Sequence, residues 1–479
     1  MQAVAGKTIR TLAFASFAAI TAFSTLSATT GVVATAHAAD ATATVAPPKA
    51  ASATQRETLT VLTSYPEEVV ATFERAFEKQ HPEIALQILW RQHRDAYDYL
   101  QGPKQGGVDV YWSPAVRNFA DLGQEGSLRK LDVDLTGLPS HVGKFRISDP
   151  DGRFVASEIA GFGFMLDPAA LARQGLPAPK TWQDLTLPRY RGHIMFPVPS
   201  RVGFAPTLLD VVLQAEGWDK GWALLSEAGA NFVFAETGGA FASLSHGMRA
   251  PISVAVTIDF FASSAIANGA PLTFVYPPGT GYSPAHIGIL RDTPHLGAAR
   301  TFVSFVLSDA GQRLLFALDV RKLPVRPSVY RDAPKGTYDP FAANAATAGV
   351  TYEETLGLAR YSLDNALFDV FLTRRKAELT ELWTRWHQLA GTEGNGTAKP
   401  VASVDPVCLE KARALLTQPP IDANTAADPA LRAMFDRRRQ DPAAQTKASA
   451  LEATWSQALN ARTAQVREWL ADGAVCSGK

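Results

Sequence analysis

Leu59-Thr60-Val61-Leu62, then Ser64-Tyr65-Pro66-Glu67-Glu68 with Val69, Val70, Phe73 and Phe77 behind it, then Val108-Asp109-Val110-Tyr111-Trp112: on these stretches the reading of the fold turns. The first is an apolar run of strand length, followed at once by helix-start chemistry. Ser64 can cap, Pro66 suits a first turn, and Glu67 and Glu68 face the positive end of a helix dipole. The four apolar residues behind them recur at helical spacing, so the helix buries one face. Residues 84–90 read as a second strand, 97–101 as part of a short helix and 108–112 as a third strand. The order β-α-β-α-β opens a parallel α/β sheet.

Toward the C terminus, residues 154–166 are apolar and interrupted by Gly161 and Gly163, which suits a strand that turns or crosses between lobes. A second α/β region follows, with strands near 194–196, 232–234, 252–256 and 272–274 and helices near 207–215 and 260–267. Residues 286–290 read as a strand returning to the first lobe, and 298–316 as one helix. From about 332 the texture changes to charge-laced helical patterns over 368–389, 407–416 and 451–470, separated by Gly/Thr-rich or Pro-rich links. The expected division is a first lobe over 58–160 and 286–331, a second over 161–285, and a helical C-terminal extension over 332–479. If the two regions close on one another, the crossing segments at Gly161-Phe162-Gly163 and before Ile287 are where a clamp of two lobes would hinge.

Toward the N terminus, Lys7 and Arg10 precede a long uncharged run that ends at Ala36-His37-Ala38. This is the pattern of a secretory signal peptide over 1–38, cleaved after Ala38, with 39–57 as a flexible mature N-terminus. The chain of 479 residues has 46 basic and 46 acidic residues, so no global field draws it to nucleic acid or to an anionic bilayer. Its two cysteines, Cys408 and Cys476, are expected to pair in an oxidising compartment. Catalytic signatures such as GxSxG, GxxxxGK[ST] and GxGxxG are absent, as are HExxH and close histidine pairs. The chain therefore reads as neither an enzyme nor a metal or cofactor protein, with a secreted hydrolase as the rival of a different class.

Two longer segments carry a resemblance. Thr181-Trp182-Gln183-Asp184-Leu185 with Pro188-Arg189-Tyr190-Arg191-Gly192-His193-Ile194 is similar to a stretch of the extracellular solute-binding proteins of ABC importers, in the group that binds ferric iron, thiamine, phosphonates and phosphosugars. Ile287-Gly288-Ile289-Leu290, followed by Ala298 through Gln312, resembles a second segment of that group. Ile258-Asp259-Phe260-Phe261, Asn268-Gly269-Ala270-Pro271 and Tyr276-Pro277-Pro278-Gly279-Thr280 resemble its phosphoglycerate-transport regulatory and aminoethylphosphonate-binding members. The resemblance implies a type II periplasmic binding protein, an α/β clamp of two lobes with a hinge, here with a helical extension. It implies as partners a membrane permease and, for the phosphoglycerate type, a membrane sensor.

Such a clamp holds its ligand at the C-terminal ends of strands and the N-termini of the helices that follow, where unpaired N–H groups suit an anion. In the first lobe those turns carry Ser64, Tyr65 and Ser113. In the second they carry Ser200, Arg201 and Gly203, then Thr237, then Asp259, with Tyr282 in a nearby loop. Arg201 is the sharpest of these, since a guanidinium takes phosphate or carboxylate through two parallel hydrogen bonds. Ser64, Ser113, Thr237 and Asp259 read equally as helix caps. A small phosphorylated or phosphonate anion is the expected ligand, with ferric iron or thiamine as alternatives of the same fold. The paired tyrosines typical of the group's iron binders are missing here.

Overall fold

The computed structural model describes residues 56–471, apart from 243, 245–247, 250, 346–350 and 393–404. The expected signal peptide, most of the expected N-terminal tail and Cys476 therefore lie outside the described residues. Strand β1 (Glu57–Thr63) begins inside the segment expected to be flexible, because Glu57 already pairs with Ile84.

Leu59, Val61 and Leu62 are fully buried, so β1 has both faces covered. Helix α1 (Glu67–Gln80) buries Val69, Val70, Phe73 and Phe77, as their spacing requires. Then come β2 (Ile84–Trp90), α2 (His93–Leu100), β3 (Val110–Ser113) and α3 (Val116–Gln124). A small hairpin, β4 (His141–Val142) and β5 (Phe145–Arg146), leads into β6 (Phe154–Leu166). The second lobe contains α4 (Pro168–Arg173), β7 (Ile194–Pro197), α5 (Ala205–Glu216), α6 (Trp218–Gly229), β8 (Phe232–Ala235), α7 (Gly239–Ala242), β9 (Val254–Ile258), α8 (Asp259–Ala267) and β10 (Thr273–Val275). The chain returns through β11 (Tyr282–Ile289) to α9 (Leu296–Leu307) and α10 (Asp309–Leu314). The extension adds α11 (Pro340–Ala345), α12 (Glu354–Phe371), α13 (Lys376–Ala390), α14 (Pro406–Thr417), α15 (Ala423–Ala426), α16 (Pro429–Arg437) and α17 (Pro442–Trp469).

Apart from the β4–β5 hairpin, the strands form one sheet in the order β2-β1-β3-β11-β6-β9-β7-β8, with β10 on β6. Its two ends are parallel, and β11 and β6 cross between them in antiparallel fashion. From Phe154 to Gly161, β6 pairs with β11; from Phe162 onward it pairs with β9. One strand therefore belongs to both lobes, and every residue of it is buried.

Of the two readings the sequence allowed, a turn or a crossing, this strand crosses without turning at its glycines. At Gly161 a Cβ would lie 2.6 Å from the Tyr276 ring, and at Gly163 it would meet the carbonyl of Val275. What these positions require is room for a neighbour. The helix expected over 298–316 is also broken: Ser308 accepts a hydrogen bond from the Gly311 N–H at 3.1 Å and caps α10. Helix α6, unseen in the sequence, is set off from α5 by Gly217 at φ 82° and buries Trp218 and Trp222.

The extension shares its core with the second lobe rather than packing on itself alone. Phe368 stacks on Phe196 at 5.7 Å and meets Phe234 edge-on at 5.8 Å. Trp383 donates to the Ser226 hydroxyl at 3.3 Å, and Lys376 to the Ala230 carbonyl at 2.7 Å. Helix α12 also reaches α3 of the first lobe, where Arg117 donates to the Leu358 carbonyl at 3.4 Å. Beside it, Tyr352 stacks on Phe145 at 4.4 Å. No helix among the described residues is long and apolar enough to cross a membrane.

Candidate ligand cleft

The parallel strands β1 and β3 end side by side, and this brings Ser64 and Ser113 together with their hydroxyls 2.7 Å apart. Ser64 does not cap α1; Pro66 occupies the N-cap and no side chain fills the role. Ser113 is fully buried and likewise does not cap α3, whose N-cap is Ala115.

Tyr65 is buried, and its hydroxyl donates to Glu158 Oε1 at 3.0 Å. Lys322 Nζ donates to the same oxygen at 2.9 Å, and both charged side chains are more than nine-tenths buried. A carboxylate in the middle of an apolar strand is costly unless it is paired and hydrogen-bonded, and this one is. Its other oxygen, Oε2, has no partner among the described residues. The ammonium also sits over the rings of Tyr65, at 5.1 Å, and Phe260, at 4.5 Å, so it touches both lobes. Burial, and then the Glu158 charge, hold the Tyr65 phenol well above its ordinary pKa.

Asp259 is the first residue of α8, whose N-cap is Ile258, so it is not the cap that the sequence allowed. Its carboxylate turns back on β6, accepting from the Gly161 N–H at 2.7 Å and the Tyr276 hydroxyl at 2.9 Å. Burial pushes its pKa up to about 7, with Glu158 adding to the rise and Gly161, Tyr276 and Lys322 opposing it. Tyr276 stacks on Tyr338 with ring centres 3.7 Å apart. Tyr282 lies in β11, not in a loop; it is buried, and its hydroxyl is 3.0 Å from that of Tyr338.

Ser64 and Ser113 thus meet at the ends of β1 and β3, Tyr65 is joined to Phe260 of α8 through Lys322, and Asp259 is joined to Tyr282 through Tyr276 and Tyr338. The other second-lobe residues stand apart from that cluster of contacts. Ser200 is half-buried, whereas Arg201, Gly203 and Thr237 are exposed. Helix α5 starts at Ala205 with Phe204 as its cap, so Arg201 sits just ahead of its first turn. The Arg201 side chain makes no ion pair or hydrogen bond among the described residues. Gly203 has open space where a Cβ would go, so packing does not demand glycine there. Thr237 contributes its carbonyl, which accepts from the Ala240 N–H at 3.2 Å.

Glu158, Lys322, Tyr276 and Tyr338, which contact the candidate residues or their partners, were not singled out as candidates from the sequence. For Glu158 a signal existed, since a lone carboxylate in the apolar run Phe154–Leu166 must have a partner. Lys322 and Tyr338 gave none, being ordinary residues of connecting segments. Among the described residues, no group of three or more His, Cys, Asp or Glu side chains could hold a metal ion.

The family model described as bacterial extracellular solute-binding protein matches residues 115–345. The phosphoglycerate transport regulatory protein PgtC of Salmonella typhimurium is 31% identical over 289 residues, which cover 59% of this chain and 67% of that protein. An uncharacterized protein of Haemophilus influenzae is 33% identical over 167 residues, 34% of this chain and 48% of that one. Among solved structures, the periplasmic binding protein AfuA from Actinobacillus pleuropneumoniae, with fructose-6-phosphate bound, matches with a TM-score of 0.52 at 19% identity over 65% of this chain and 100% of its own. Iron-bound HitA from Pseudomonas aeruginosa matches with a TM-score of 0.53 at 16% identity over 64% and 97%. At these identities the two structures speak for the fold. The chain belongs to the bacterial extracellular solute-binding proteins and has the two-lobed fold of the type II periplasmic binding proteins.

Proposed function

We propose that the cleft captures a small phosphorylated or phosphonate organic anion in the periplasm and hands it to the membrane permease of an ABC importer, binding without turnover. The observation that carries the ligand class is Arg201, an exposed guanidinium with no internal partner among the described residues, just ahead of the first turn of α5. A fork of that kind beside a helix N-terminus suits phosphate. The likeness to a phosphoglycerate transport protein and the fold shared with a fructose-6-phosphate binder support the same class. In this reading Ser64, Tyr65, Ser113, Ser200, Gly203, Thr237, Asp259 and Tyr282 line the ligand with Arg201, and the buried carboxylates favour a ligand that also carries a hydroxyl or amine.

Thermal shifts against phosphate esters, phosphonates, carboxylates, thiamine and Fe³⁺ test the ligand class. A shift with Fe³⁺ and none with organic anions would overturn it. Arg201→Ala is expected to weaken binding of the responding anion by roughly 1.5–3 kcal/mol, about 10- to 150-fold, as measured by calorimetric titration.

Export through a signal peptide cleaved after Ala38, contact of the extension with a membrane sensor, and a Cys408–Cys476 bridge belong to the same proposal. Cys408 is fully buried on α14, where a bridge would tie the C-terminal segment to the core. In the chain-entropy account such a bridge contributes on the order of 4 kcal/mol. Protein purified from the periplasm and denatured without reductant should show no thiol reacting with Ellman's reagent; two reactive thiols would reject the bridge.

A further inference from the structure

Tyr338 comes from the extension, yet its ring lies flat on Tyr276 at 3.7 Å and its hydroxyl is 3.0 Å from that of Tyr282. Tyr276 in turn donates to Asp259 at 2.9 Å, and Asp259 accepts from Gly161 on the strand shared by the lobes. We propose that Tyr338 is a positioning residue for the cleft: by pinning Tyr276 onto Asp259 and keeping water from that carboxyl, it makes ligand capture depend on the extension.

Tyr338 also packs against the main core. Two planar rings stacked with a hydroxyl at each end fix Tyr276 in orientation as well as in place. The fixed hydroxyl reaches a carboxyl that is itself 5% exposed, so the donor is aimed at a group with little access to solvent. The groups facing Asp259 are Glu158 on β6, Lys322 after α10, Tyr276 itself, Tyr330 just before the extension and Tyr338 within it.

Asp259 in the folded chain holds its proton up to about pH 7, above its unfolded value of 3.8. Its contribution to stability is thus full below about pH 4 and is lost as pH rises through about 7. Removing the Tyr338 ring, which covers Tyr276 beside the carboxyl, is expected to expose Asp259 to water, and since burial is the largest cause raising its pKa the midpoint should fall.

The test is a titration of the Asp259 carboxyl by ¹³C NMR in the full-length protein, beside calorimetry with 3-phosphoglycerate as the probe. In Tyr338→Ala the Asp259 midpoint is expected to fall by roughly one pH unit, and binding to weaken about tenfold. Tyr338→Phe, which keeps the stacked ring, is expected to restore both. Far-UV circular dichroism checks that each variant is folded. An unmoved Asp259 midpoint in folded Tyr338→Ala overturns the inference, whatever the probe does. The ligand class rests on the preceding proposal and fails separately: a wild-type protein that binds no phosphate compound, while its Asp259 midpoint moves in Tyr338→Ala, loses the ligand assignment and keeps the positioning role.

Discussion

A chain cut after Arg331 will not fold its second lobe. The extension reads in the sequence as a separate helical addition over 332–479, but its side chains complete the core around Phe196, Trp222 and Phe232. Phe368, Phe371, Leu372, Trp383, Leu416 and Trp455 would all be lost from that core. Full burial of a large apolar side chain stabilises by about 1.5–3 kcal/mol, and the net stability of a domain is only about 5–15 kcal/mol. Six such losses exceed what the lobe can spare. The truncated protein should be insoluble or be degraded by protease throughout 161–285, whereas a cooperative thermal transition from a soluble truncation would refute the shared core. Phe368→Ala offers a graded version, with an expected loss of about 3–5 kcal/mol in urea denaturation.

Lys322→Met is the second large effect. It leaves Glu158 charged on a strand whose every residue is buried, with only the Tyr65 hydroxyl to meet it. Removing one partner of a buried ion pair costs about 3–5 kcal/mol, because the remaining charge is uncompensated. Replacing both, as Lys322→Met with Glu158→Gln, should recover most of that loss, since a neutral amide can still accept from Tyr65. The three urea midpoints form the measurement. A single variant within about 1 kcal/mol of wild type would mean that water reaches Glu158 and the pair is not sealed.

The contrast between what was legible and what was not follows the range of the interactions. The helix over 67–80 and the first three strands could be read because each is decided by residues close in sequence, such as Val69, Val70, Phe73 and Phe77. The helices at 354–371 and 376–390 were legible in part as patterns, but nothing local says that Phe368 stacks on Phe196. In the cleft, Asp259 and Tyr65 stood at turns that strand order picks out. Lys322 meets Glu158 across 164 positions, and a connecting segment has no periodicity that would announce such a pairing. The glycines at 161 and 163 marked the crossing, but the sequence left a turn equally open, because a gap left for a neighbouring strand looks in sequence like freedom to bend.

The place of β11 also bears on how the chain is made. It is inserted between β3 and β6, the middle of the sheet, although more than a hundred residues separate it from both. Until residues 282–289 have emerged, β3 and β6 each present a bare edge of unpaired N–H and carbonyl groups, on strands that are otherwise buried throughout. A nascent chain in that state invites pairing with other chains, and closing the sheet waits on contacts of long sequence separation. The hazard of aggregation is therefore concentrated in the interval between the completion of β6 and that of β11.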